Sequence, residues 1–125
     1  MRASLDDLPA IVDIPRVTIR AVKWGSMMVE VGEAHQTGSD QSAASFKGLP
    51  DDRCQCPHWG YVISGEMRYQ YADHEEVYKA GDLFYAPPGH LPACVEAGCQ
   101  WIDFSPFEEY TATMEVVRRN QKARE

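Results

Sequence analysis

Between Val17 and Phe104 no single hydrophobic period is sustained for long, so a bundle of helices is excluded over most of the chain. Residues 17–23 alternate apolar and polar, residues 26–31 form a denser apolar run, and residues 43–47 offer a weaker strand candidate. Residues 66–71 alternate again, with Met67, Tyr69 and Tyr71 on one face and Arg68 and Gln70 on the other. Ala72-Asp-His-Glu-Glu76 reads as a hairpin turn into residues 77–79, and residues 83–86 and 100–104 complete the succession. Turn residues recurring about every eight to twelve positions argue an all-β sandwich or barrel.

After Phe104 the period changes. Ser105 is placed to cap a helix, Pro106 suits its first position, and Glu108 completes a capping box. Phe107, Tyr110, Met114 and Val117 then form a stripe that needs a barrel or a second subunit to cover it. The spacing predicts a helix over about 105–119 behind a core barrel over about 17–104, all within one domain spanning 1–125.

A net charge of −7 and a pI near 5.0 argue against nonspecific binding to nucleic acid or to an anionic membrane, since both need a cationic surface. Small molecules or protein are the expected partners. The acidic start lacks an apolar signal core, and no run of eighteen apolar residues exists, so the expected compartment is the cytoplasm. There, four cysteines should be thiols or metal ligands. Cys94 and Cys99 flank a turn across which they could pair, but small buried hydrophobes is the commoner role.

The chemistry concentrates between Cys54 and His90. In an extended segment, Cys54, Cys56 and His58 project to one side as a row of metal-ligand types, with His90 arriving some thirty residues later behind a turn. Pro57 bears on Cys56, because a proline can bend the segment and change its phase. Thiolate and imidazole suit zinc first, with iron, nickel or copper as alternatives. His35 lies in a polar loop and His74 in an acidic turn, and neither joins this pattern. Trp59, next to His58, is a candidate pocket wall.

Tyr61-Val-Ile-Ser-Gly65-Glu66, followed by Gly81-Asp82-Leu-Phe-Tyr-Ala-Pro87-Pro88-Gly89-His90, resembles the two-part signature of the cupins. The resemblance covers residues 46–106 well and implies a double-stranded β-helix, or jelly-roll barrel, that commonly holds a metal among inward histidines. It also implies a homodimer. His90 falls on the ligand of the second motif. The first motif departs from the family pattern of two histidines and a glutamate: counted back from Tyr61, its positions hold Asp52, Cys54 and His58. The implied metal set is His58, His90 and Cys54, with Cys56 or Asp52 as further candidates. Two functions follow from it. An open three-ligand site would suit an enzyme acting on a small molecule, and a closed site with both thiolates would suit a ligand- or metal-sensing module.

Overall fold

The computed structural model describes residues 1–39 and 43–123. Its strands are β1 (Ala10–Ile14), β2 (Val17–Trp24), β3 (Met27–Ala34), β4 (His58–Ser64), β5 (Glu66–Gln70), β6 (Glu75–Lys79), β7 (Leu83–Ala86), β8 (Leu91–Val95) and β9 (Gln100–Pro106), followed by helix α1 (Phe107–Ala123). One sheet has the order β1-β2-β3-β9-β4-β7 and the other β6-β5-β8, with every ladder antiparallel. Inward side chains of both sheets share one core: Val62, Phe84, Ala86 and Trp101 from the larger sheet meet Met67, Tyr69 and Tyr78 from the smaller. This is the all-β barrel with a C-terminal helix that the alternation and turn spacing predict, in the jelly-roll form that the family resemblance implies.

Local chemistry fixes the two tightest points. Gly65 turns β4 into β5 at φ 75°, and a Cβ there would lie 2.6 Å from the Cys99 Cα, so only glycine meets both demands. At Gly32 the Trp101 indole lies where a Cβ would stand, 2.1 Å away, which lets the ring lie flat across β3.

Three elements differ from the sequence pattern. Residues 43–47 form a turn and not a strand: the Phe46 N–H donates to the Ala43 carbonyl at 3.2 Å, and the Phe46 ring is buried. Strands β1 and β8 are unannounced in the sequence. The first is an edge strand between Pro9 and Pro15 with most residues exposed, and the second carries Pro92 at the other sheet's edge, where a missing N–H is tolerated. The helix begins at Phe107, because Ser105 and Pro106 still pair with Met28 and Met27 as the end of β9.

Of the two covers open to the apolar stripe of α1, the chain uses its own barrel. Tyr110 and Val117 join Phe46, Cys54 and Cys56 in a second core cluster, with Met114 packed against it. Asn120 donates to the carbonyls of Ser45 and Lys47 at 2.8 and 3.0 Å, tying the helix to the 43–47 turn.

Candidate metal centre and its cavity

Cys54 and His90 are brought together by backbone. They face each other in an isolated antiparallel bridge in which the Cys54 N–H donates to the His90 carbonyl at 2.9 Å and the Gly89 N–H to the Cys54 carbonyl at 2.8 Å. Opposed residues of such a bridge hold their Cβ atoms about 4.5–5.5 Å apart. His58 opens β4 opposite Ala86, and its ring stands 4.9 Å from that of His90. One donor atom from each of Cys54, His58 and His90 lies within 4.8 Å of the other two.

Cys56 is not part of this group. Residues 55–57 belong to no strand, so the pleat that would align 54, 56 and 58 is interrupted just before His58. The buried Cys56 thiol donates to the Pro57 carbonyl at 3.6 Å. Asp52 is also elsewhere, on an exposed 3-10 turn where its carboxylate accepts the Gly48 N–H at 3.1 Å.

The hydrogen bonds around the histidines set their tautomers. His90 Nδ1 lies 2.7 Å from the Pro87 carbonyl, which can only accept, so the proton is on Nδ1 and Nε2 keeps its lone pair. His58 Nδ1 pairs with Ser105 Oγ at 2.6 Å, and that hydroxyl also faces Asp103 Oδ1 at 3.5 Å. The side chain expected to cap α1 is thus spent on orienting His58. Burial, helped by the neighbouring His90, lowers the His58 pKa to about 3, and burial lowers that of His90 as well. Burial raises the Cys54 thiol to about 12. Two neutral imidazoles beside a thiol that ionises only when a cation arrives are a fitting donor set for a divalent transition metal.

Cys54 and His58 open onto a cavity of about 590 Å³ that runs between the barrel interior and α1. Ile19, Met67, Tyr69, Trp101 and Val117 give it apolar walls. His90 is packed instead against the Tyr69 and Tyr71 rings, at 5.2 and 6.3 Å.

Two carboxyls that the motifs do not announce also line the cavity. Glu30 of β3 and Asp103 of β9 are direct cross-strand partners on the inward phase. Asp103 accepts from Trp101 Nε1 at 3.2 Å, and Glu30 is hydrogen-bonded to the Tyr110 hydroxyl. Burial raises the pKa of both, and their mutual repulsion adds to the rise at Asp103. The sequence signal was a charged residue at a core phase of an apolar strand, once in 26–31 and once in 100–104. Tyr110 reads from sequence only as packing, yet it delivers its hydroxyl to this pair.

The remaining candidates lie apart. His35 meets the Thr18 hydroxyl at 2.8 Å on the exposed surface. His74 sits between Asp73 and Glu76 and stacks on Tyr71 at 4.7 Å. Trp59 is no pocket wall: it faces outward, 45% exposed, and stacks on Tyr85. All four cysteines are free thiols, so Cys94 and Cys99 are not paired, and Cys99 is fully buried.

Residues 54–96, the segment that carries the three-donor group, match the cupin domain family model. The barrel has the cupin fold. The same barrel is found in KdgF from Halomonas sp., at 20% identity and a TM-score of 0.56 over 82% of this chain and 92% of that one. An RmlC-like cupin from Shewanella frigidimarina aligns at 17% identity and a TM-score of 0.57, over 83% and 88% of the two chains. The polyketide cyclase RemF from Streptomyces resistomycificus aligns at 18% identity and a TM-score of 0.59, over 86% and 79%. No protein of curated function matches the sequence. At such identities the likeness is one of fold, and the function of this chain has to be argued from its own cavity.

Proposed function

We propose that this chain is a metal-dependent enzyme acting on a small molecule, with Cys54, His58 and His90 holding a divalent transition metal, zinc foremost. The observation that carries this reading is the composition of the group: three donors within 4.8 Å, of which Cys54 and His58 line the cavity, with Cys56 outside the group. Three protein ligands leave a position for water or substrate, whereas a fourth thiolate would close the site and favour sensing. When bound, such a metal supplies Lewis-acid polarisation of a substrate oxygen or activation of water.

The chain's own groups supply the rest. The Pro87 carbonyl and the Ser105 hydroxyl hold the two imidazoles in orientation through their Nδ1 atoms. Glu30, with its raised pKa, and the Tyr110 hydroxyl bonded to it can hold or release a proton beside the reacting molecule. The apolar walls exclude water and select a substrate with a hydrophobic body, and the buried carboxyls disfavour an anionic group at that depth. Four free thiols suit a reducing compartment and support a cytoplasmic setting. Among the described residues no helix is long and apolar enough to cross a membrane.

The test is elemental analysis of protein purified without chelator or added metal. About one equivalent of a transition metal per chain is expected in the native protein and in Cys56→Ser, and loss of it in His90→Ala. Loss in Cys56→Ser would transfer the site to the closed, sensing class. A native chain that neither retains nor binds zinc, iron, nickel or copper would refute the metal reading.

A further inference from the structure

Glu30 and Asp103 face each other across the β3–β9 ladder, and both line the cavity. Asp103 is 4% exposed, and an aromatic residue reaches each carboxyl: Trp101 Nε1 donates to Asp103 at 3.2 Å, and the Tyr110 hydroxyl bonds Glu30. An ionised carboxylate has about four acceptor sites. Among the described residues, the side-chain donors that meet them are Trp101 and Ser105 at Asp103 and Tyr110 at Glu30, so both keep acceptor capacity to spare. No arginine or lysine enters the electrostatic balance at either carboxyl. Arg16 and Arg118 also line the cavity, but Arg16 belongs to the turn between β1 and β2 and Arg118 is exposed on α1.

Two buried carboxyls with no cation beside them are costly to ionise, and a cation that enters between them offsets that cost. We propose that the cavity selects a ligand carrying a primary ammonium group on an apolar body, with the ammonium held between Glu30 and Asp103. The walls fit such a ligand. The rings of Tyr69, Trp101 and Tyr110 line the same cavity, and aromatic rings attract an ammonium while they exclude water. The volume of about 590 Å³ lies within the roughly 300–1,000 Å³ of small-molecule pockets. A metal ion is the poorer occupant of this pair. Two carboxyls fall short of the about six to eight oxygens that calcium takes, and among the described residues the three-donor group is Cys54, His58 and His90, without either carboxyl. An anionic head group would be repelled by both carboxyls, and a neutral one would leave them without a countercharge. The proposal rests on the small-molecule reading above and names its substrate class, but it does not need the metal.

Titration calorimetry with hexylammonium, hexanol and hexanoate tests it, on the full chain stripped of metal by chelator and held at about pH 8, where an alkylamine is still protonated. The three probes share one tail and differ in the charge of the head group. Hexylammonium should bind at least about tenfold more tightly than hexanol, and hexanoate more weakly than either. Asp103→Asn and Glu30→Gln keep the shape of each side chain and remove its charge. Each should bring hexylammonium to within about threefold of hexanol while hexanol binding stays as in the native chain, a pattern that general loosening of the cavity would not give. Should a variant lose its strand spectrum, the ranking of the three probes on the native chain still decides the matter. Equal affinity for hexylammonium and hexanol overturns the proposal, as do a preference for the ammonium that survives both substitutions and a native chain that binds none of the three. Metal content, measured separately, decides the metal-dependent reading whichever way this comparison falls.

Discussion

Where β4 begins, His58 and His90 stand 4.9 Å apart, half-buried and buried, with their Nδ1 atoms occupied by a hydroxyl and a carbonyl. In the turn between β5 and β6, His74 stands in solvent with Asp73 Oδ1 at 2.6 Å and Glu76 Oε2 at 2.8 Å. The second arrangement has the larger share of carboxylates and the weaker claim to chemistry. Its oxygens stabilise a protonated imidazole and raise the His74 pKa, whereas burial lowers those of His58 and His90 and keeps a lone pair ready. A metal competes with protons, so the site whose imidazoles have already shed them is the one prepared to bind.

The largest effect that separates the two regions is His90→Ala. Removing a ligand should lower metal affinity by more than about a hundredfold, measured by chelator competition. It should also cost about 1–3 kcal/mol in metal-free protein by chemical denaturation, because the Pro87 carbonyl loses its partner. Unchanged affinity would mean that the buried histidines are no more a metal site than His74 is.

Next in size is the pH dependence of metal affinity. From the ordinary imidazole value of 6.5, below which both histidines are displaced, up to the Cys54 value of about 12, the free site has neutral imidazoles and a protonated thiol. Binding near neutrality should therefore release one proton, and affinity should rise about tenfold per pH unit. A slope of two or three protons would show that the histidines are charged before the metal arrives, which would erase the contrast with His74.

A smaller effect is expected at Ser105. Ser105→Ala removes the Nδ1 partner of His58 and should weaken metal binding by about tenfold while leaving the strand spectrum intact. Ser105→Thr, which restores the hydroxyl, should recover affinity. An effect confined to the helix content of the tail would return Ser105 to a capping role.

Ser105 also marks where sequence stops being legible. Ser-Pro-Phe-Glu has the local pattern of a helix start, but pairing of Ser105 with Met28 extends β9 and turns the hydroxyl toward His58. Cys56 fails for a related reason: period-2 reasoning assumes a continuous strand, and residues 55–57 belong to none. Where both faces of a strand differ in burial, as for Met67, Tyr69, Arg68 and Gln70, alternation is read without error. Edge strands β1 and β8 lack that contrast, since most of β1 is exposed and all of β8 is half-buried. Glu30 and Asp103 meet only through the β3–β9 ladder, a pairing of residues 73 positions apart that no local pattern encodes.

The smallest effect expected is that of His74→Ala, which tests the exposed half of the comparison by linkage. His74 has a folded-state pKa above the ordinary 6.5, so whatever it contributes is fully present below pH 6.5 and vanishes as pH rises through the folded value. The buried pair has the opposite sign: stability is present above 6.5 and falls as pH drops from 6.5 toward about 3, because the unfolded chain takes up the protons that the fold refuses. Glu30 and Asp103, with raised values, act in the same direction as His74, contributing below their ordinary 4.5 and 3.8 and losing it as pH rises. In metal-free protein, His74→Ala should thus leave the melting temperature unchanged at pH 9 and lower it slightly at pH 5, with metal affinity unchanged at both. His58→Ala should flatten the acid loss instead. If the two variants shift the acid limb in the same direction, burial and exposure do not divide the histidines of this barrel as the structure divides them.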